Sequence, residues 1–498
     1  MGSSRKIASG AMWSTAYNLL NALYGFVAIP ILINYFGKAE YGLIGLAQSV
    51  NVYIQLMDMG FNSTNVRFFS VWLEKHDFTK VNKLFGTSMT FYGVIGLLNG
   101  VILAVVSLFA PSIFNVTAEQ GEIIRHLLWI LAFAAIFNWY MSCYDQIIKA
   151  TENVAWIQKC LFLPKMLQIV VLVLTVVMRF SIVTYFILTT FAVFVVLPVY
   201  IFKIKKELPF VRFLPHFNWA VFKEVLPYSL NIFSFNIFKF SFVNLCPVFL
   251  GILATAESVA DYKILFGISS LITMITGVVM GSLLPSTSKI VAREDRDAYY
   301  KVAYQGTKYL SIVCCFCVFG LITISQDLLT VYVGTAFSYL AKWLCVMCLV
   351  QIGNHILCIS SLILSGVNIR ALSRMVIFSS LASLTMAWLM IPRYEVGGVV
   401  MAYVVYEVMQ MAFYYLYYMP KKMEIASGKV FRNLMPFVLI GAVVCVLLHF
   451  MPHFDNSWLN VSLYGLLFVF MYVPLVWLVL NQKDKAWLLN LVKGNERH

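Results

Sequence analysis

Gln48, Asn51, Gln55, Asp58 and Asn62 recur at spacings of 3, 4, 3 and 4 inside an otherwise apolar stretch. At about 100° per residue, such a series falls on one narrow face of an α-helix, and Asn65 continues it. Amide side chains offer paired donors and acceptors, so a wall of them suits water or a polyhydroxylated molecule. The other account is hydrogen bonding between helices as packing. Ser14, Asn18 and Asn21 make a second stripe at spacings of 4 and 3, ahead of Pro30, which predicts a kink. Cavity and packing both fit this stripe.

A third segment is polar all round. Asn231, Ser234, Asn236, Lys239, Ser241 and Asn244 are distributed around one helix, which is therefore expected at the centre of the molecule, away from lipid. Lys239 is the costliest of them unless it is paired or hydrated; it either meets an anionic substrate or completes a structural ion pair. Glu407 shares a face with Tyr403, Gln410 and Tyr414. Asp58 and Glu407 are the candidates for proton or sodium coupling, or else they neutralise a nearby base. Gln351, Asn354, His355 and Cys358 share another face, where a single histidine reads first as a hydrogen-bonded packing residue. Asp261 and Lys263 open a span near its outer end, where a long side chain reaches the interface by snorkelling.

The elements that must position these residues follow from composition. The chain has 498 residues, 61% hydrophobic and only 12% charged, against about 25% charged in a soluble domain. Its apolar residues come in runs of about twenty, the length that crosses a bilayer core as a helix. The class is an all-α polytopic membrane protein. Fourteen spans are expected: 9–35, 40–61, 84–110, 123–145, 156–178, 182–202 and 225–250, then 258–285, 302–324, 337–364, 373–391, 397–419, 434–450 and 458–480.

With the N-terminus in the cytoplasm, 29 of the 36 basic residues fall on the inner side and 5 on the outer, leaving Lys239 and Lys263 within spans. This is the positive-inside distribution, and it explains the +14 net charge without nucleic acid. Lys165 is counted with the inner group. The start MGSSRKIASG leads into an apolar run too long for a signal-peptide core, so it reads as a retained first span. The ten cysteines lie mostly within apolar runs and read as small buried residues; no metal or cofactor is expected. No Walker A, GxSxG or HExxH motif occurs, and the outer loops are short, so catalysis is not expected.

The longest loops are 203–225 and 289–302. The first follows span six and suggests six spans, a linker, six more, and two extra, with the halves as parallel repeats. A faint echo between Glu40-Tyr41-Gly42 and Asp261-Tyr262-Lys263 agrees. The resulting division is an N-lobe at 1–205, a cytoplasmic loop at 206–222, a C-lobe at 223–422, and two helices with a cytoplasmic tail at 423–498.

Residues 35–69 carry a resemblance. The Phe36-Gly37 exit, Glu40-Tyr41-Gly42 entering span two, Asp58 with Gly60 near its inner end, and Arg67 just beyond are similar to the start of Wzx-type polysaccharide flippases. These belong to the multidrug/oligosaccharidyl-lipid/polysaccharide exporter superfamily, and the 6+6+2 plan extends the likeness over most of the chain. The resemblance implies two six-helix lobes around a central cavity that opens alternately to either side of the bacterial cytoplasmic membrane. It implies a polyprenyl-pyrophosphate-linked oligosaccharide as cargo, such as an O-antigen repeat unit, with no nucleic-acid partner. Cavity residues would be Asn18, Asn21, Gln48, Asn51, Gln55, Asp58, Arg67, Asn231, Asn236 and Lys239, with Lys239 or Arg67 meeting pyrophosphate. One departure is plain: such relatives often place several arginines in the cavity, and here only Lys239 is placed. The alternatives are a cation-coupled drug or metabolite antiporter of the same superfamily, and a membrane-embedded glycolipid transferase or ligase.

Overall fold

Helix ends coincide with residues suited to cap them. Asp77, Ser181, Asn218 and Asp295 each accept a backbone N–H of the first turn that follows, and Thr117 with Gln120 closes a capping box. The computed structural model describes residues 3–58, 60–292, 295–365 and 370–486. Side chains are described for these except 3–8, 11, 53, 231–232, 234–243, 278–286, 288–289, 291–292, 364–365, 370–371 and 373. The described residues contain no strand.

In chain order the helices are α1 (Ser3–Phe36), α2 (Lys38–Ile54), α3 (Phe61–Glu74), α4 (Phe78–Ile113), α5 (Ala118–Ala150), α6 (Val154–Met178), α7 (Ile182–Ala192), α8 (Val196–Glu207), α9 (Trp219–Leu253) and α10 (Ala256–Ala292). They continue as α11 (Arg296–Lys301), α12 (Thr307–Thr323), α13 (Ser325–Val333), α14 (Ala341–Val350), α15 (Leu357–Ser365), α16 (Arg370–Tyr394), α17 (Val396–Phe413), α18 (Met419–Lys422), α19 (Ser427–His449) and α20 (Ser457–Val479). Several join through single tighter or wider turns into one span, as α7 and α8 do through Val193–Val195.

Among the described residues, twelve helices are long and apolar enough to cross a membrane. The expected second and seventh spans correspond to α2, which has 17 residues, and α9, which has 35. The protein is a multi-pass membrane protein.

Two departures from the expected layout have local causes. Span two does not run to residue 61: α2 ends at Ile54, tightens into a 3-10 turn at Gln55–Asp58, and α3 starts afresh beyond Gly60. Gly60 adopts φ 77°, a left-handed conformation that glycine takes without steric cost. The stretch after it, expected to be a loop, is the helix α3, which buries Phe61, Phe69 and Trp72.

The chain forms two compact units. The first comprises Met1–Ile264 with Val376–Ala402. Its aromatic core includes Phe69, Phe85, Tyr92, Trp139 and Tyr200, with Tyr92 and Trp139 stacked at 5.5 Å. The segment 208–218 lies along α4 in this unit. Asn82 Nδ2 donates to the Phe210 carbonyl at 2.9 Å and Asn82 Oδ1 accepts from Arg212 N at 2.8 Å. Thr87 Oγ1 accepts from Asn218 N at 3.0 Å.

The second unit comprises Leu265–Met375 with Tyr403–His498. There α12 packs on α14, α19 and α20. Lys308 pairs with Asp484, whose other oxygen accepts from the Tyr309 hydroxyl at 2.9 Å, which fastens the end of the last span to α12.

Candidate functional site

A polar cavity of about 450 Å³ lies within the first unit, among α1, α2, α5, α6 and α7. Asn21 and Tyr24 face it from α1, Tyr41 and Gln48 from α2, and Asn138 from α5. α6 adds Lys165 and Gln168, and α7 adds Tyr185 and Thr189. Gln48 is exposed although Leu46, Ala47, Ser49 and Val50 around it are buried, so it opens onto the cavity.

Lys165 is only 8% exposed. Its ammonium donates to Gln168 Oε1 at 2.8 Å and sits 4.4 Å from the centroid of the Tyr24 ring. Gln168 Nε2 in turn donates to the Thr189 carbonyl at 3.2 Å, which fixes the amide with its oxygen toward the lysine. Among the described residues no carboxylate pairs with Lys165. Counting this lysine with the inner loops therefore needs correction: its ammonium is held in the middle of α6. The signal available in the sequence was a lysine well inside the 156–178 run with Gln168 one turn on.

The break after α2 divides the first polar stripe. Gln48 lines the cavity, Asn51 is buried away from it, and Gln55 is exposed in the 3-10 turn. Asp58 enters a separate buried network. Its Oδ1 accepts from the Tyr92 hydroxyl at 2.7 Å, and its Oδ2 accepts from Asn62 N at 3.2 Å in the first turn of α3. Gln146 Nε2 donates to the Tyr92 oxygen at 2.8 Å, and Asn65 Nδ2 bridges Gln146 Oε1 and Ser88 Oγ, each at 2.9 Å. One face became two sites because the helix ends at Ile54 and tightens into the 3-10 turn that carries Gln55 and Asp58.

On α1, Asn21 lines the cavity and Asn18 is exposed beyond its lining. Arg67 on α3 is exposed and stacks 4.2 Å from the Tyr228 ring centroid. The side chains of Asn231, Asn236 and Lys239 lie outside the described residues. Asp261 and Lys263 do not snorkel. Asp261 pairs with Lys38 at 2.8 Å, and Lys263 donates to the buried Ser49 hydroxyl at 3.1 Å.

Three of the residues that carried the resemblance have a definite place. Gly37 turns the chain between α1 and α2 at φ 97°. Tyr41 lines the cavity. A Cβ on Gly42 would lie 1.9 Å from the Ala256 carbonyl oxygen, so only glycine lets α2 meet the start of α10.

In the second unit the expected tenth span is interrupted by a 3-10 turn, Gln351–Ile356, between α14 and α15. Gln351 Oε1 accepts from Thr273 at 3.0 Å and from Asn354 at 2.8 Å. Its amide donates to the Tyr403 oxygen at 3.4 Å, and the Tyr403 hydroxyl hydrogen-bonds Glu407. His355 is fully buried between the Ile352 carbonyl at 2.7 Å and the Tyr415 hydroxyl at 2.6 Å, the hydrogen-bonded packing residue that a single histidine within a span reads as first. Cys345 and Cys348 stand a turn apart in α14, but among the described residues no group of three His, Cys, Asp or Glu side chains is placed to hold a metal.

A family model described as polysaccharide biosynthesis protein matches residues 7–291, more than half of the chain. None of the curated proteins matches the sequence. Among solved structures, the chain is similar to the lipid II flippase MurJ in an inward closed conformation. The identity there is 13%, over 93% of this chain and 98% of that one, with a TM-score of 0.71. A eukaryotic MATE transporter, AtDTX14, is similar at 12% identity over 87% of this chain and 99% of its own, TM-score 0.58. The Vibrio cholerae MATE transporter VcmN in its bent form is similar at 13% identity over 89% and 99%, TM-score 0.53. At these identities the likeness shows the fold, which is that of the flippase and of the MATE transporters alike.

Proposed function

The chain belongs to the polysaccharide biosynthesis protein family, and from that premise we propose that it is an alternating-access flippase. Its cargo is a polyprenyl-(pyro)phosphate-linked oligosaccharide, the repeat unit of an O-antigen, capsule or exopolysaccharide. Transport runs from the inner to the outer leaflet of the bacterial cytoplasmic membrane, with both chain termini in the cytoplasm. The observation that carries the reading is the cavity of the first unit, where amides, phenols and one ammonium replace water inside an apolar helix bundle.

The physics is one of solvation. Each hydroxyl stripped of water without a new partner costs roughly 2–7 kcal/mol, so a sugar crosses hydrocarbon only along a surface that keeps its hydrogen bonds. Asn21, Gln48 and Asn138 supply such a surface from three helices, while the polyprenyl tail stays in lipid. Nothing in this task requires a bond to be made or broken, and we read the protein as a transporter rather than an enzyme. Energy coupling, where present, would use Asp58 or Glu407 as the site of a proton or sodium ion.

A second reading, a cation-coupled drug or metabolite antiporter, is favoured by the continuous hydrogen-bonded chain Asp58–Tyr92–Gln146–Asn65. One experiment separates the two. Deleting the gene in its bacterial host should cause lipid-linked repeat units to accumulate in the inner leaflet and surface polysaccharide to disappear, and the wild-type gene should reverse both. Normal polysaccharide, together with increased sensitivity to cationic drugs, would establish the antiporter instead.

A further inference from the structure

Lys165 is the cavity residue that the solvation argument leaves unexplained. Neutral sugar hydroxyls need no ammonium, and a buried lysine without an anion is costly within a membrane span. Here the amino group is oriented by its neighbours. Gln168, itself pinned to the Thr189 carbonyl, takes one N–H, and the Tyr24 ring lies against the ammonium from another side. An ammonium has three donors, so donors remain for a ligand in the cavity. The cavity volume of about 450 Å³ falls within the range of about 300–1,000 Å³ typical of small-molecule sites.

We propose that this cavity is a subsite for a sugar bearing a single carboxylate, which Lys165 binds while Gln48 and Asn138 hold the hydroxyls. This rests on the flippase reading and deepens it, by making the transported oligosaccharide acidic. Charge matching selects the carboxylate over the carrier's pyrophosphate. Among the described residues Lys165 is the only cationic side chain lining the cavity, which balances one negative charge, whereas a pyrophosphate brings at least two and calls for forked guanidinium partners. Tyr24 and Tyr41 add flat apolar faces for the sugar ring.

The test uses the full-length protein in phosphatidylcholine nanodiscs and two probes that differ in one group, octyl β-D-glucuronide and octyl β-D-glucoside. The wild type should bind the glucuronide at least about tenfold more tightly, the ratio expected of one charge-assisted hydrogen bond. Lys165→Arg should keep the preference and Lys165→Met should abolish it, with thermal unfolding confirming that each variant is folded. Gln48→Leu touches none of the lysine's partners and should weaken both glycosides equally, which tests the cavity even if Lys165→Met fails to fold.

Equal binding of the two probes by the wild type overturns the proposal. So does a preference that survives in folded Lys165→Met, or a Gln48→Leu variant that binds both probes unchanged. Octyl phosphate binding more tightly than the glucuronide would assign Lys165 to a lipid phosphate and overturn it as well. The two readings fail separately: absent discrimination with intact accumulation of lipid-linked repeats removes the subsite alone. Absent accumulation removes the flippase, whatever the probes do.

Discussion

Asp58 shows how one carboxylate can be structural and still be a candidate for coupling. Both of its oxygens are committed, one to the Tyr92 hydroxyl and the other to the first turn of α3. Asparagine at this position keeps an acceptor for the Tyr92 hydroxyl while removing the charge. Asp58→Asn should therefore unfold within a few degrees of the wild type in detergent, and loss of export in that folded variant would assign ion coupling to the carboxylate. Full export by Asp58→Asn would leave Asp58 a packing residue. Tyr92→Phe should behave in the opposite way. It strips a partner from the half-buried Asp58 and the fully buried Gln146, and should destabilise by about 1–3 kcal/mol, read as a lowered thermal midpoint. Unchanged stability would show that the network relaxes around the missing hydroxyl.

At the scale of elements, close approach between helices replaces the hydrophobic effect, because lipid tails are as apolar as the helix faces. α4 presents Gly96 and Gly100 to α5, where a Cβ on Gly100 would lie 2.9 Å from the Ala132 carbonyl oxygen. The contact of Gly42 with Ala256 is tighter still and involves backbone, which cannot rotate away as a side chain can. Gly42→Val should therefore separate α2 from α10 and cost at least about 1–3 kcal/mol, seen as lost folded protein on size exclusion. Gly25→Ala is the control: it stands on the cavity side of α1 with nothing within 4 Å of the added carbon, and it should leave the yield unchanged. Equal yields of both variants would refute the packing argument.

For the whole molecule, the positive-inside asymmetry, 28 inner to 5 outer basic residues once Lys165 is taken out of the 29, supports the proposed orientation, which labelling can check. In a background freed of the ten native cysteines, a membrane-impermeant maleimide should label Ser181→Cys and Asn456→Cys in intact cells. Glu207→Cys and Lys422→Cys should react only after permeabilisation. The reverse pattern would invert the molecule, and a mixed one would mean that a helix assigned as a span does not cross. The same map bears on α2, which has 17 residues, since Glu207 and Ser181 lie beyond it in the chain.

Much of this architecture was legible in sequence because hydropathy is a local property. Twenty apolar residues in a row must hide their backbone in a helix wherever they lie, and the all-α class and the membrane class follow. The sites were only half legible. Periodicity assumes an unbroken helix, so it put Gln48 and Asp58 on one wall, and the end of α2 at Ile54 with the 3-10 turn at Gln55–Asp58 parts them. Hydropathy likewise sees Lys165 only as one charge in a run, free to reach either surface. Only the arrival of α1, α2, α5 and α7 around α6 decides that its ammonium stays inside, between an amide and a ring. Which helix needs a polar face is written in one dimension; which polar faces meet is settled by contacts between distant segments, and those exist only once the chain has packed.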